Sequence, residues 1–399
     1  MLPAKCASGC PSESMKNILL APAAFYFFFF AALAAMSPFL ALYYQSLGLS
    51  GSHIGLLLGV SPLVSLFASP FWTGLADARH LHKLILFGTI LGTILFAIIF
   101  PFLQTFTLVF PFVLLIAFAS APIASLVDTA TMSMLAGRRE LYGRTRLWGT
   151  IGWGVTAPLA GMFLQAKGLY WLFWVYALLM TFNLFVIPRI TFSRSANATP
   201  FWHGLRIVFT DRRWVFFLLI VFVAGIGFAV HTNYLSLLLQ HLGADKTVVG
   251  FAVTITMLSE LPVMFFSNRL LKWLKPNGLL ILAMATGGLR CLLYAFSPTP
   301  QIILIIQLLH GLTFPALWVA GVTYAAENAP AGLESTAQGI LASVLIGFGM
   351  SAGSLLGGTL IDSFGIARMY LYVGLMVLVV PVIFLILQNR FGGSHAKTL

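Results

Sequence analysis

Apolar residues in this chain come in blocks of roughly 20 positions or more, and polar connections divide them into about twelve such blocks. They fall near residues 17–47, 52–76, 83–104, 107–136, 144–166, 170–188, 213–241, 247–270, 277–297, 300–327, 334–362 and 366–389. Each is long enough, as a helix, to cross a hydrocarbon core of roughly 30 Å. Inside a bilayer the helix satisfies every backbone N–H and C=O within one segment. The pattern therefore predicts an all-α, multi-pass membrane protein of twelve transmembrane helices.

The longest polar connection, residues 189–212, splits the spans into six and six. The expected organisation is an N-terminal tail (1–16), a six-helix bundle (17–188), a linker (189–212), a second six-helix bundle (213–389) and a C-terminal tail (390–399). Within the linker, Phe201, Trp202, Leu205, Val208 and Phe209 recur at helical spacing beside Arg206 and Arg212, which predicts an amphipathic helix lying on the membrane surface. Twelve spans put both termini on one side. Of the 22 Lys and Arg, all but Lys167, Lys246, Arg368 and the intramembrane Arg290 lie in the termini, in the even-numbered connections or beside them, so the positive-inside rule places both termini in the cytoplasm and the chain in the cytoplasmic (inner) membrane.

Composition agrees: 60% of residues are hydrophobic, 8% are charged and the mean hydropathy is +0.98. The net charge of +12 follows from the positive-inside bias and the pull of anionic lipid, so nucleic acid is not an expected partner. Cys6 and Cys10 have no His or Cys companion to make a metal site, and Cys291 reads as a small apolar residue within a span. The first residues lack the apolar core of a signal peptide, and Met15 offers an alternative start. Nucleophile, metal cluster and phosphate loop are all missing from the sequence pattern, so neither an enzyme nor a cofactor is expected. The expected partners are a small-molecule substrate, protons and lipid, with the chain acting as a monomer.

Ionisable residues inside spans are costly and mark pathways. Asp128 and Arg146 lie nine residues either side of Gly137; if residues 137–143 form a hairpin tip, a rise of about 1.5 Å per residue sets the two at similar depth. Glu260 stands midway along the eighth span with no Lys or Arg within a turn, which makes it a candidate for loading and releasing a proton. Arg290 and His310 lie at comparable depth on the ninth and tenth spans; Arg290 is a candidate to bind an anionic group or to pair with Glu260, and His310 to relay a proton or simply to hydrogen-bond. His231 on the seventh span reads as a satisfied hydrogen-bonding group as readily as a proton carrier. Gly55 and Gly59 on the second span, and Gly349, Gly353 and Gly357 on the eleventh, give smooth faces for close helix approach.

The loop residues Asp77 and Arg79 after the second span, and Asn268 and Arg269 after the eighth, occupy corresponding places and predict conformational loops in two repeats. With the twelve spans and the six-plus-six split, they resemble the major facilitator superfamily, whose fold is two pseudo-symmetric six-helix bundles. The run Tyr142-Gly143-x-x-Arg146-Leu147-Trp148-Gly149-x-x-Gly152-Trp153 is similar to the start of the fifth helix in the branch holding lactose and phenylpropionate permeases. The second half, with Glu260, Arg290, Gln307 and His310, is closer to the phenylpropionate type. The resemblance implies substrate binding by Asp128, Arg146 and Trp153, and with it Arg290, Gln307 and His310 are expected to bind substrate; the placement of the ionisable groups themselves makes Glu260 the expected proton-coupling residue, with His310 and Asp128 as the other candidates. Gln307 and Thr313 stand where lactose permease has a lysine and its proton-carrying glutamate, so that proton site is not copied here.

These features point to a secondary active transporter, a proton-coupled symporter of a small organic solute such as a sugar or aromatic acid working by alternating access. The alternative is a proton antiporter exporting an amphipathic compound; Gly154 to Gly161 keeps the proline of the exporter motif, Pro158, but not its preceding glycine. A receptor on a permease scaffold would need soluble extensions longer than these tails.

Overall fold

The computed structural model describes residues 12–135, 138, 140–192, 212–329 and 333–392. Among them are twelve helices long and apolar enough to span a membrane: α1 (Leu19–Ser46), α2 (Gly51–Arg79), α3 (His82–Phe102), α4 (Phe106–Met134), α5 (Leu141–Lys167), α6 (Leu169–Arg189), α7 (Trp214–Asn233), α8 (Lys246–Phe265), α9 (Ser267–Ala295), α10 (Pro300–Asn328), α11 (Thr336–Phe364) and α12 (Ile366–Ile383). The predicted surface helix of residues 201–209 lies outside the described residues, as do Cys6, Cys10 and part of the hairpin tip at 137–143. The first helix starts at Ser12, inside the segment expected as tail, and the last runs on to Gly392.

The helices are interrupted where the chain needs them to be. In α1 a 3-10 turn at Ser37–Phe39 contains Pro38, which has no N–H for the helical ladder. Beyond α7, Tyr234 breaks the helix before a short α-helix at Leu235–His241, so the seventh span is two pieces rather than one. The helix that follows Phe39 and the one that follows Tyr234 are entered with nearly the same backbone angles (φ −104°, ψ −5° and φ −111°, ψ −1°). At Lys275, whose φ is 55°, the chain turns out of the helix ahead of Pro276, so the membrane-crossing part of α9 begins at that proline. In α10 a 3-10 segment at Gln307–Leu312 gives way to Thr313 with φ −100° and ψ −94°. In α11 a π-helical turn spans Ser343–Gly349.

The interface between the two six-helix bundles is built on glycine: Gly55 and Gly59 of α2 do approach α11 closely, but of the α11 glycines it is Gly358 that meets α2, while Gly349 and Gly353 pack on α7 and Gly357 on Tyr234. A Cβ on Gly55 would overlap the Ser354 carbonyl and one on Gly358 the Gly51 carbonyl. A second seam joins α5 to α8, where Gly161 abuts the Lys246 carbonyl and Gly250 that of Ala157. Both seams lie at the face opposite the chain ends. Toward the face bearing the termini, α2 and α8 end with Phe71 and Phe265 exposed, at 55% and 80% of their surface. The two seams therefore hold the bundles together at the far face.

Candidate functional site

The most densely bonded polar cluster lies where the α10 helix is interrupted. Arg290 of α9 is only 1% exposed, and its guanidinium is held from several sides. Nη1 donates to Thr313 Oγ1 at 2.9 Å and lies 3.2 Å from His310 Nδ1; Nη2 donates to Gln307 Oε1 at 2.6 Å and to Tyr294 Oη at 2.8 Å. The 3-10 winding of Gln307–Leu312 puts Gln307 and His310 on one side of the chain, because side chains three apart eclipse in that geometry. Tyr294 sits four residues beyond Arg290 on the same helix face, and its hydroxyl also bonds Gln307 at 2.8 Å.

Glu260 of α8 closes the chain of bonds from the other side: its Oε1 lies 3.0 Å from His310 Nε2. Glu260 and Arg290 therefore do not pair directly, as one sequence reading had it; the imidazole stands between them and touches both. Ser259, the neighbour of Glu260, accepts from the Gly311 backbone N–H at 3.1 Å, which ties α8 to the 3-10 segment of α10. His231 is buried and its Nε2 faces the Cys291 thiol at 3.3 Å, so it is satisfied locally.

These groups border a cavity of about 180 Å³ between the two bundles. Glu260, Gln307 and His310 line it from one side, and Trp153, Ser37 and Pro38 from the other. Trp153 also packs on Ala34, Ala157 and Val253, so it belongs both to the cavity wall and to the α5–α8 seam. Phe228 and Phe314, stacked with centroids 4.2 Å apart, form an apolar wall that the sequence reading missed. Arg290 Nε and Gln307 Nε2 are buried donors that find no acceptor among the described residues.

Asp128 and Arg146 do meet. Arg146 Nη1 donates to Asp128 Oδ1 at 2.9 Å, and Tyr26 Oη donates to the same oxygen at 2.6 Å. The guanidinium also lies over the rings of Tyr26 and Phe30, 5.6 and 5.4 Å from their centroids. This cluster joins α1, α4 and α5 within the first bundle and does not line the 180 Å³ cavity. Its side chains are 35% and 40% exposed.

The loop residues behave separately. Asp77 bonds His82 Nε2 at 2.8 Å rather than Arg79, and Lys83 Nζ donates to the Pro188 carbonyl at 3.1 Å. Arg269 lies over the Phe266 ring at 5.4 Å, next to Asn268. Among the described residues no group of three or more His, Cys, Asp or Glu is placed to hold a metal ion.

A family model described as the MFS_1 like family matches residues 19–372. The maltose permease of Geobacillus stearothermophilus is 25% identical over 368 residues, covering 92% of this chain and 93% of that protein. The sucrose permease of Escherichia coli is 24% identical over 314 residues, covering 73% of this chain and 74% of its own length. The crystal structure of the nucleoside transporter NupG superposes with a TM-score of 0.82 at 17% identity, covering 92% of this chain and 98% of that one. At that identity the superposition speaks to the fold alone.

Proposed function

This chain belongs to the MFS_1 like family of the major facilitator superfamily and is a secondary transporter, not an enzyme; we propose that it moves a small uncharged polar solute of sugar size together with a proton, by alternating access across the cytoplasmic membrane. The observation that carries this reading is the line Glu260, His310, Arg290 along the wall of the cavity between the bundles. An intramembrane carboxyl that opens on a cavity and bonds an imidazole has a place to take up a proton and a neighbour that feels the change. When Glu260 is protonated its bond to His310 weakens, and His310 is freer to lean on Arg290 or on a solute.

The solute's lack of charge follows from the pairing of every ionised group around the cavity. Arg290 is held by four side chains and would have to leave them to meet a carboxylate. Glu260 is engaged by His310. What remains for a ligand is the Gln307 amide N–H and the Ser236 hydroxyl, the Thr232 and Thr256 hydroxyls as acceptors, and the ring faces of Trp153, Phe228 and Phe314. Hydroxyl edges and an apolar ring face meet those groups well. The sugar permeases among the relatives support the same class, and the aromatic-acid reading falls behind it. Asp128 and Arg146, outside that cavity, would contact the solute as it enters or leaves.

Both termini then lie in the cytoplasm, and the chain acts alone, as a monomer. Export of an amphipathic compound in exchange for protons keeps one observation in its favour: Pro158 of the exporter-like segment packs against Gly250 in the α5–α8 seam. The two readings separate in proteoliposomes. With a panel of mono- and disaccharides, nucleosides and aromatic acids, symport predicts that one neutral solute draws protons in with it and that an imposed inward pH gradient concentrates it inside. Protons moving opposite to the solute would replace symport by antiport. Accumulation of only the acids would overturn the uncharged-solute reading.

A further inference from the structure

At the far face, the start of α2 in one bundle is capped by a side chain of the other. Asp362, two residues before the end of α11, accepts from Gly51 N at 2.6 Å, from Ser52 N at 2.7 Å and from Ser52 Oγ at 2.6 Å. The first N–H groups of a helix have no partner within it and carry the positive end of its dipole. Ser50, the residue before α2, satisfies only the His53 N–H. The N–H groups of Gly51 and Ser52 are satisfied across the boundary between bundles, by a carboxylate.

The second seam repeats the arrangement with a weaker part. Leu40 to Gly55 and Leu235 to Gly250 are copies of one segment, sharing Leu40/Leu235, Leu42/Leu237, Gln45/Gln240, Leu47/Leu242, Gly48/Gly243 and Gly55/Gly250 at a constant offset. Gly48 and Gly243 both take a left-handed turn, with φ of 75° and 84°. Asp245 precedes α8 as Ser50 precedes α2, and accepts from Val248 N at 2.9 Å. The N–H of Lys246, the counterpart of Gly51, is again capped from the other bundle, by Gln165 Oε1 of α5 at 3.2 Å. One seam is therefore fastened by an anion with three short bonds, and its counterpart by a neutral amide oxygen that accepts two longer ones, from the Lys246 N–H at 3.2 Å and from its Nζ at 3.3 Å.

We propose that Asp362 is a gating residue: it latches the far face shut, and the α2–α11 seam that it fastens resists opening more than the α5–α8 seam. Charge-assisted hydrogen bonds are about twice as strong as neutral ones. They form only while the two bundles touch; Asp362 itself stays exposed to solvent, so the latch lies in the three bonds across the boundary and not in burial of the charge. The latch thus acts on the balance between far-closed and far-open states, which is where a transporter's rate of turnover is set.

The test reads that balance directly and needs no substrate, so it stands or falls apart from the solute and the coupling ion. Cys6, Cys10 and Cys291 are replaced, and spin labels are placed on cysteines at Gln104 and Ser363, exposed far-face positions in the two bundles. The distance distribution is measured by electron–electron resonance on purified protein. Asp362→Asn is expected to raise the far-open to far-closed ratio on the order of tenfold, since it removes a charged acceptor from three bonds. Asp362→Glu, which keeps the charge, is expected to retain most of the closed population, and Gln165→Ala to shift the ratio much less than Asp362→Asn. Ser52→Ala, which removes one of the three bonds, gives a smaller shift in the same direction and serves if Asp362→Asn does not purify as a folded species. An unchanged distribution in both Asp362→Asn and Ser52→Ala, or a Gln165→Ala shift as large as that of Asp362→Asn, overturns the proposal.

Discussion

His310 touches Glu260 with one ring nitrogen and Arg290 with the other, at 3.0 and 3.2 Å, so a single imidazole stands between a carboxyl at the cavity and a buried guanidinium. A neutral imidazole holds one proton and accepts at its other nitrogen. Any change of charge on Glu260 is therefore passed to the Arg290 cluster through His310 and not across open space.

Glu260→Gln mimics the protonated carboxyl and keeps a hydrogen-bonding group toward His310. Solute binding and solute–solute exchange should remain near normal in this variant, while uptake driven by a pH gradient falls to the level set by the solute gradient alone. Proteoliposomes with and without an imposed gradient make the comparison. Undiminished gradient-driven accumulation would move the coupling proton to Asp128 or His310.

Arg146→Ala removes the partner of Asp128 and leaves a partly buried carboxylate beside Tyr26. The pair lies outside the 180 Å³ cavity, so its part in binding is to hold the solute on its way in; apparent affinity should weaken by at least tenfold (about 1.4 kcal/mol), with the protein still folded. Arg146→Lys should be nearly as poor if the guanidinium's planar fork is what the solute meets. Calorimetric titration on folded protein decides it, and near-normal affinity in Arg146→Ala would remove this pair from the binding site.

Gly250→Leu puts a side chain where α8 meets the Ala157 carbonyl and the Pro158 backbone. Backbone cannot yield as a side-chain tip does, so the α5–α8 seam should be wedged open and transport should stop. Overpacking of this kind typically costs about 1–3 kcal/mol, which a thermal unfolding curve would register as a modest fall in Tm. Normal transport by this variant would mean that the far-face seam need not close.

Alternating access requires the two faces to move in opposite senses. Labels at Leu47 and His241 on the far face should separate on conversion to the far-open state, while labels at Ala76 and Arg269 on the near face draw together. Paired distance measurements with and without solute test this. A transported solute that changes neither distance would exclude rocking of the bundles, and movement at one face alone would replace it with a local gate.

The twelve spans, the six-plus-six division and the identity of the intramembrane ionisable residues were legible in the linear chain, because the filter that imposes them is local. A hydrocarbon core admits an apolar helix of about 20 residues and penalises each charge wherever it falls, so segment length and isolated charges can be counted without knowing what packs on what. Even the depth match of Asp128 with Arg146, and of Arg290 with His310, needed only the helical rise. The repeat that relates residues 40–55 to 235–250 was there to be read as well, and it is stronger than the resemblance between the Asp77 and Asn268 loops.

Partnership was decided only by tertiary structure. Glu260 reaches His310 and not Arg290, because the 3-10 segment of α10 swings the imidazole between them, and nothing in the spacing of charges announces a 3-10 turn at Gln307. Tyr26 belongs to the Asp128 cluster as a hydroxyl donor, and Tyr294 to the Arg290 cluster by accepting from Arg290 and donating to Gln307; neither carries a charge to mark it in an apolar run. Asp362 looks like an ordinary loop acid until α2 is set against α11, where it completes the first turn of a helix lying 311 residues earlier in the chain. A residue's cost in the membrane depends on its own segment, but its bonds depend on which helices the fold brings alongside.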